Sequence, residues 1–130
     1  MKPIPTPNAD TKPFWDACNE DRLIVQTCRS CGHTQFYPRA LCVACEGQDL
    51  DWREADPSGV IHTFTIVHRA PTPAFKEDAP YVLALIDLNA GVRMMMNVID
   101  CDPDSLAIGM AVRIVFEERD GQKLPQATPR

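Results

Sequence analysis

Apolar positions along the chain change their period twice. In "TKPFWDACNEDR" (11–22) Phe14 and Cys18 stand four residues apart, so they share one helical face with Trp15 beside it. Thr11 is placed to cap this helix, and Pro13 is tolerated in its first turn. So short a helix persists only if it docks on something. "RLIVQT" (22–27) and "TQFY" (34–37) predict two short strands. From residue 52 onward the runs are β-branched and aromatic. "DWREADPSGVIHTFTIVHR" predicts a long strand interrupted by a Pro-Ser-Gly turn or bulge, with its main segment over 60–69. Strands follow over 81–88, 92–99, 111–118 and near 122–127, punctuated by "NAG" and Asp120-Gly121 turns.

Five strands after residue 51, with one helical turn over 102–109 between the third and fourth, is the element order of an OB-fold, a small Greek-key barrel. The chain is therefore expected to be mainly β: an N-terminal arm and helix over 1–21, a ribbon over 22–50 and a barrel over 51–130. One strand departs from simple alternation. "YVLALIDL" (81–88) is apolar on both faces with only Asp87 breaking the run, so its outer face needs a cover. The N-terminal helix, the ribbon or another chain would supply it. The loop "APTPAFKEDAP" (70–80) holds three prolines and is expected to be stiff and exposed.

The ribbon carries the strongest chemical signal. Cys28-x2-Cys31 and, ten residues on, Cys42-x2-Cys45 form two knuckles whose four sulfurs reach one metal. Gly32 follows the first knuckle, as a tight turn asks; the second runs Cys45-Glu46-Gly47 without an immediate glycine. Zinc is favoured over iron, and four protein ligands leave no open position for catalysis. The metal is expected to be structural. His33 reads as a surface residue, Cys18 and Cys101 as ordinary thiols. His62 and His68 share the spacing of one strand face with Phe64 and Ile66. Met94 and Met96 are expected in the core, with Met95 on the opposite face. No phosphate loop, Ser-His-Asp order or paired-carboxylate motif is present.

Composition narrows the partners. The 130 residues are 45% hydrophobic and 24% charged, with a formal net charge of -5; four thiolates and one divalent ion take this to about -7. Residues 59–130 hold 7 Lys/Arg against 9 Asp/Glu, with no aromatic-interleaved basic run. Single-stranded nucleic-acid binding, the alternative open to a zinc-ribbon/OB module, is therefore disfavoured. No apolar run is long enough to span a membrane and the first ten residues lack an apolar leader segment, so a cytoplasmic protein is expected.

The order of "FW", "CxxC…YPR…CxxC", "GVIHTFTIVH", "PYVLALIDL", "GVRMM" and "IGMAVRIVFE" resembles the zinc-ribbon OB-fold proteins associated with acyl-CoA metabolism, over about residues 11–127. The resemblance implies a rubredoxin-like ribbon ahead of the barrel. It also implies a non-catalytic accessory subunit that binds acyl-CoA beside a thiolase-fold enzyme, such as a thiolase, an acyltransferase or a steroid side-chain aldolase. Arg69, Lys76 and Arg93 are the cations expected near the coenzyme A phosphates. Phe14 and Trp15 are the anchors expected at a partner interface.

Overall fold

The computed structural model describes residues 2–130. Helix α1 spans Lys12–Asn19 and buries Phe14, Ala17 and Cys18, the face that the spacing predicts. Its start differs from expectation. The Thr11 hydroxyl makes no capping bond into the helix. It accepts instead from the Asn8 N–H at 3.0 Å, while Asn8 Oδ1 accepts from the N–H groups of Asp10 and Thr11 at 2.9 Å each. A side-chain-closed turn before the helix thus replaces the cap.

Two sheets follow. Strands β1 (Ile24–Cys28), β2 (Thr34–Gln35) and β3 (Leu50–Glu54) form an antiparallel ribbon in the order β2-β1-β3. Strands β4 (Ser58–Val67), β5 (Tyr81–Leu88), β6 (Arg93–Val98), β7 (Ala111–Arg119) and β8 (Gln122–Pro129) close a barrel in the order β4-β5-β6-β8-β7. The segment read as one interrupted strand from 52 is thus two strands in different sheets. Trp52 pairs with Gln26 of β1, and the break falls at Asp56-Pro57. Proline cannot donate to a ladder, so the chain changes sheet there. The ribbon sheet accordingly runs to Glu54.

Gly59 sits where the barrel closes, paired with both Leu88 of β5 and Val112 of β7. A Cβ there would lie 2.5 Å from the Asp87 carbonyl oxygen. A β-bulge between Ile61 and Thr63 changes the phase of β4. Ile61 faces the core, but Phe64 and Ile66, beyond the bulge, also pack on it, and His62 is thrown outward. The expectation that His62 shares a face with Phe64 and Ile66 fails for this reason. His68 lies exposed past the end of β4.

In β5, Val82, Ala84, Ile86 and Leu88 point inward and are buried, while Tyr81, Leu83, Leu85 and Asp87 are half-buried on the outer face. Met94 and Met96 join the core and Met95 is 67% exposed, as the alternation predicts. The proline-rich loop folds into a 3₁₀ turn over Pro73–Asp78, and a second such turn spans Pro103–Ser105. Among the described residues no helix is long and apolar enough to cross a membrane.

One continuous core joins the parts: Phe14 and Cys18 of α1, Leu23 to Val25 of the ribbon, and the barrel interior. The Ala55 N–H donates to the Leu23 carbonyl at 2.9 Å across the junction. α1 lies along β8, where Asn19 Oδ1 accepts from the Lys123 N–H at 2.8 Å and Gln122 Nε2 donates to the Trp15 carbonyl at 3.2 Å. Two substitutions test this packing by denaturant unfolding at saturating zinc. Phe14→Ala is expected to cost about 3–5 kcal/mol. Gly59→Ala is expected to cost more than 1 kcal/mol, by roughly the scale of overpacking, because the obstructing atom is backbone.

Candidate functional site

The four cysteines of the knuckles converge: all four sulfurs lie within 4.8 Å of one another. Cys28 Sγ is 3.7 Å from Cys45 Sγ, and Cys31 Sγ is 3.6 Å from Cys42 Sγ. A tetrahedron built on zinc–sulfur bonds of ~2.3 Å has edges of ~3.8 Å, so the spacing fits such an ion. None of the four is disulfide-bonded. The backbone shapes each knuckle in the same way. The Gly32 N–H donates to the Cys28 carbonyl at 2.9 Å, and the Glu46 N–H donates to the Cys42 carbonyl at 2.8 Å. Both residues take left-handed backbone, φ 79° at Gly32 and 63° at Glu46. The second knuckle therefore makes the same turn without glycine, at the steric cost of a Cβ. The Cys31 N–H, with that of Ser30, lowers the Cys28 thiol to about 7, while burial and the neighbouring sulfurs raise Cys31 and raise Cys45 to about 12 against the Gly47 N–H. A closed set of four thiolates supplies a fold with a cross-link and leaves no coordination position for substrate.

The other two thiols are both raised above the ordinary thiol range. Burial pushes Cys18 up to about 12, and burial with the nearby Asp102 and Asp100 raises Cys101.

Two contiguous cavities lie on the barrel's outer surface. The first, of about 570 Å³, is bounded by Phe14, Trp15, Phe36 and Tyr37 on one side and by β6 and the middle of β8 on the other. Its cations are Arg39, Arg93 and Arg119. The second, of about 530 Å³, runs under the proline-rich loop and includes Lys2, Tyr81 and Cys101. Phe75, Leu83, Asn97, Arg119 and Gln126 line both, which makes them two lobes of one groove. The outer face of β5 thus forms part of the floor of this groove, with α1 and the ribbon aromatics across from it.

The expected coenzyme A cations fall unequally. Arg93 lines the groove, with its Nε 2.6 Å and a terminal nitrogen 3.2 Å from the Asp87 carboxylate. This fork holds Asp87 below the usual carboxylate range, and the bulged His62 stands 3.4 Å from the same carboxylate. Arg69 and Lys76 are exposed and line neither lobe. Sequence reading singled out neither Arg39 nor Arg119. Arg119 lies over the Phe75 ring at 5.7 Å, donates to the Pro3 carbonyl at 3.3 Å and stands 3.6 Å from Glu117. The "YPR" motif contains Arg39, but nothing in its spacing places it opposite β6.

Phe14 is only 1% exposed and stacks on Phe36 with ring centroids 4.9 Å apart. The chain's own core takes it, so it is not an exposed anchor. Trp15 remains half-buried at the groove edge, its indole N–H donating to the Tyr37 hydroxyl at 3.2 Å.

A closed four-cysteine knuckle pair ahead of a five-stranded barrel defines a rubredoxin-like zinc ribbon joined to an OB-fold. Residues 15–51 match the family described as "ChsH2, rubredoxin-like zinc ribbon domain", and residues 52–117 match "ChsH2, C-terminal OB-fold domain". The chain belongs to this family, and its metal is structural zinc. It is 33% identical over 120 residues to the "Probable enoyl-CoA hydratase alpha subunit" of Thermomonospora curvata, covering 92% of this chain but 37% of that protein. A "DUF35 domain-containing scaffold protein" of Methanothermobacter thermautotrophicus is 37% identical over 92 residues, 70% of this chain and 68% of its own. Among solved structures, an "Ltp2-ChsH2(DUF35) aldolase" chain superposes with a TM-score of 0.87 at 32% identity, covering 97% of this chain and 98% of that one.

Two substitutions test the metal site. Cys42→Ser is expected to abolish stoichiometric zinc, by elemental analysis, and to cost several kcal/mol in unfolding experiments, because a structural zinc contributes directly to folding. Glu46→Gly is expected to retain zinc and raise stability by about 0.5–1 kcal/mol, since relief of the left-handed strain exceeds the added entropy of glycine.

Proposed function

We propose that this chain is a non-catalytic accessory subunit that binds acyl-CoA and supports a thiolase-fold partner. The observation that carries the reading is the two-lobed groove. Each lobe has the size of a small-molecule site; aromatic and aliphatic side chains make up most of the walls, Arg39, Arg93 and Arg119 stand along the first lobe, and Asp78, Asp100 and Glu117 lie with Lys2 in the second. An acyl-CoA has the matching chemistry: a long apolar and amide-bearing arm attached to a diphosphate, which guanidinium forks bind well. The names of the relatives support the link to CoA thioesters and to a multi-subunit assembly. Two are subunits of hydratases acting on CoA thioesters, several are scaffold proteins, and the superposing structure is an aldolase that joins Ltp2 to a ChsH2 DUF35 chain.

Catalysis is assigned to the partner because the zinc site is closed and both remaining thiols are raised in pKa. Within the groove Arg39 and Arg119 are the phosphate contacts, with Arg93 held in reserve by Asp87. Trp15, beside Tyr37 at the groove edge, is the residue that meets the partner. A steroid-derived or other bulky acyl group is compatible with this arrangement, since the acyl end would extend toward the partner's catalytic centre.

Calorimetric titration with coenzyme A tests the binding half of the reading. Wild-type protein should bind, and Arg39→Glu or Arg119→Glu should weaken binding at least ~10-fold, the loss of one charge-assisted contact. Co-expression with a thiolase-fold enzyme from the same organism tests the other half. The two should co-elute, and acyl-CoA turnover should require both. A partner that is soluble and fully active alone would overturn the accessory role.

A further inference from the structure

Two glutamines in the ribbon have no part in the metal site, yet they are among the most deeply buried polar side chains of the chain. Gln26 on β1 is 5% exposed and Gln35 on β2 is 4% exposed, and the two are cross-strand partners. Their amides form one closed network. Gln26 Oε1 accepts from the Arg39 N–H at 2.9 Å and from Gln35 Nε2 at 2.9 Å. Gln26 Nε2 donates to the Arg39 carbonyl at 2.8 Å. Gln35 Nε2 also donates to the Leu41 carbonyl at 3.1 Å, and Gln35 Oε1 accepts from the Val43 N–H at 3.0 Å. The orientation of both amides is fixed, because flipping either would set N–H against N–H and carbonyl against carbonyl.

The network grips the backbone at residues 39, 41 and 43. This brackets Cys42, a metal ligand 1% exposed, and it begins at Arg39, whose side chain lines the groove. Strand β1 carries Gln26 two residues before Cys28, so one strand fixes both the metal and the loop. A loop bearing a long cationic side chain would otherwise sample many positions and lose rotamer and backbone entropy on meeting an anion.

We infer that Gln26 and Gln35 are positioning residues that hold the Arg39 backbone at the groove, so that its guanidinium meets the phosphates of a coenzyme A ligand pre-ordered. The inference rests on the groove binding acyl-CoA. It adds that affinity depends on two buried amides that no ligand touches.

A double-mutant cycle with coenzyme A as the probe tests this, with zinc content measured alongside. Gln26→Met has similar length and no amide. It is expected to keep about one zinc per chain and to bind coenzyme A roughly fivefold to tenfold more weakly, the worth of one to two hydrogen bonds. In an Arg39→Ala background the same change should alter affinity less than about twofold, because the residue it positions is gone. Amide hydrogen exchange in the unaltered protein supplies a second measurement that does not depend on a variant folding. The Arg39 amide should be protected to the level of the β1–β2 ladder. Unchanged affinity in Gln26→Met, equal losses in both backgrounds, or an Arg39 amide exchanging like an open loop would each overturn the inference. Absence of coenzyme A binding by wild-type protein would instead remove the groove reading, and this inference with it.

Discussion

Burial of the α1 face is the constraint on which the other parts depend. A zinc cross-link fixes two knuckles but brings almost no apolar surface with it, and a three-stranded ribbon cannot form a core alone. The barrel has its own weak seam: β6 and β8 are joined in parallel through a single pair, Val98 with Ala127. Phe14, Ala17 and Cys18 enter one core with Leu23 to Val25 and the barrel interior, while the polar edge of the helix bonds to Gln122 and Lys123 of β8. The same helix therefore ties ribbon to barrel and braces the strand beside the seam. Because the helix and ribbon stand away from β6, the groove opens between them.

That geometry connects stability to function. The aromatic wall of the groove consists of the edge of the packing that holds the molecule together: Phe14 and Phe36 face inward, with half-buried Trp15 and exposed Tyr37 as their continuation. Large rings with few rotatable bonds suit such a wall, since they present area to a ligand at small entropic cost. The zinc contributes at a distance, by fixing the ribbon strand from which the Arg39 loop is held.

Much of this was legible in the chain itself. The knuckle spacing defined the metal site, and the alternation through the three methionines of β6 put Met94 and Met96 inside and Met95 outside. What escaped were features that depend on a single residue's phase or on a distant partner. The bulge at His62 inverts one position without changing composition, so the period alone put His62 on the wrong face. β3 resembles the start of the following strand, because nothing local reveals which sheet a five-residue strand joins. Arg119 and Arg39 reach the groove only through the closure of the barrel and the fold of the ribbon. The amide network left one trace: Gln26, a polar residue inside the apolar run "RLIVQT", needed a buried partner.

The most direct measurement is a crystal structure of the protein bound to coenzyme A, alone or with its partner. The account predicts diphosphate density within hydrogen-bonding distance of the Arg39 and Arg119 guanidiniums, with the pantetheine arm running along the groove over Leu83 and Phe75. Coenzyme A held wholly by the partner, or seated on another face of this chain with the groove empty, would contradict it.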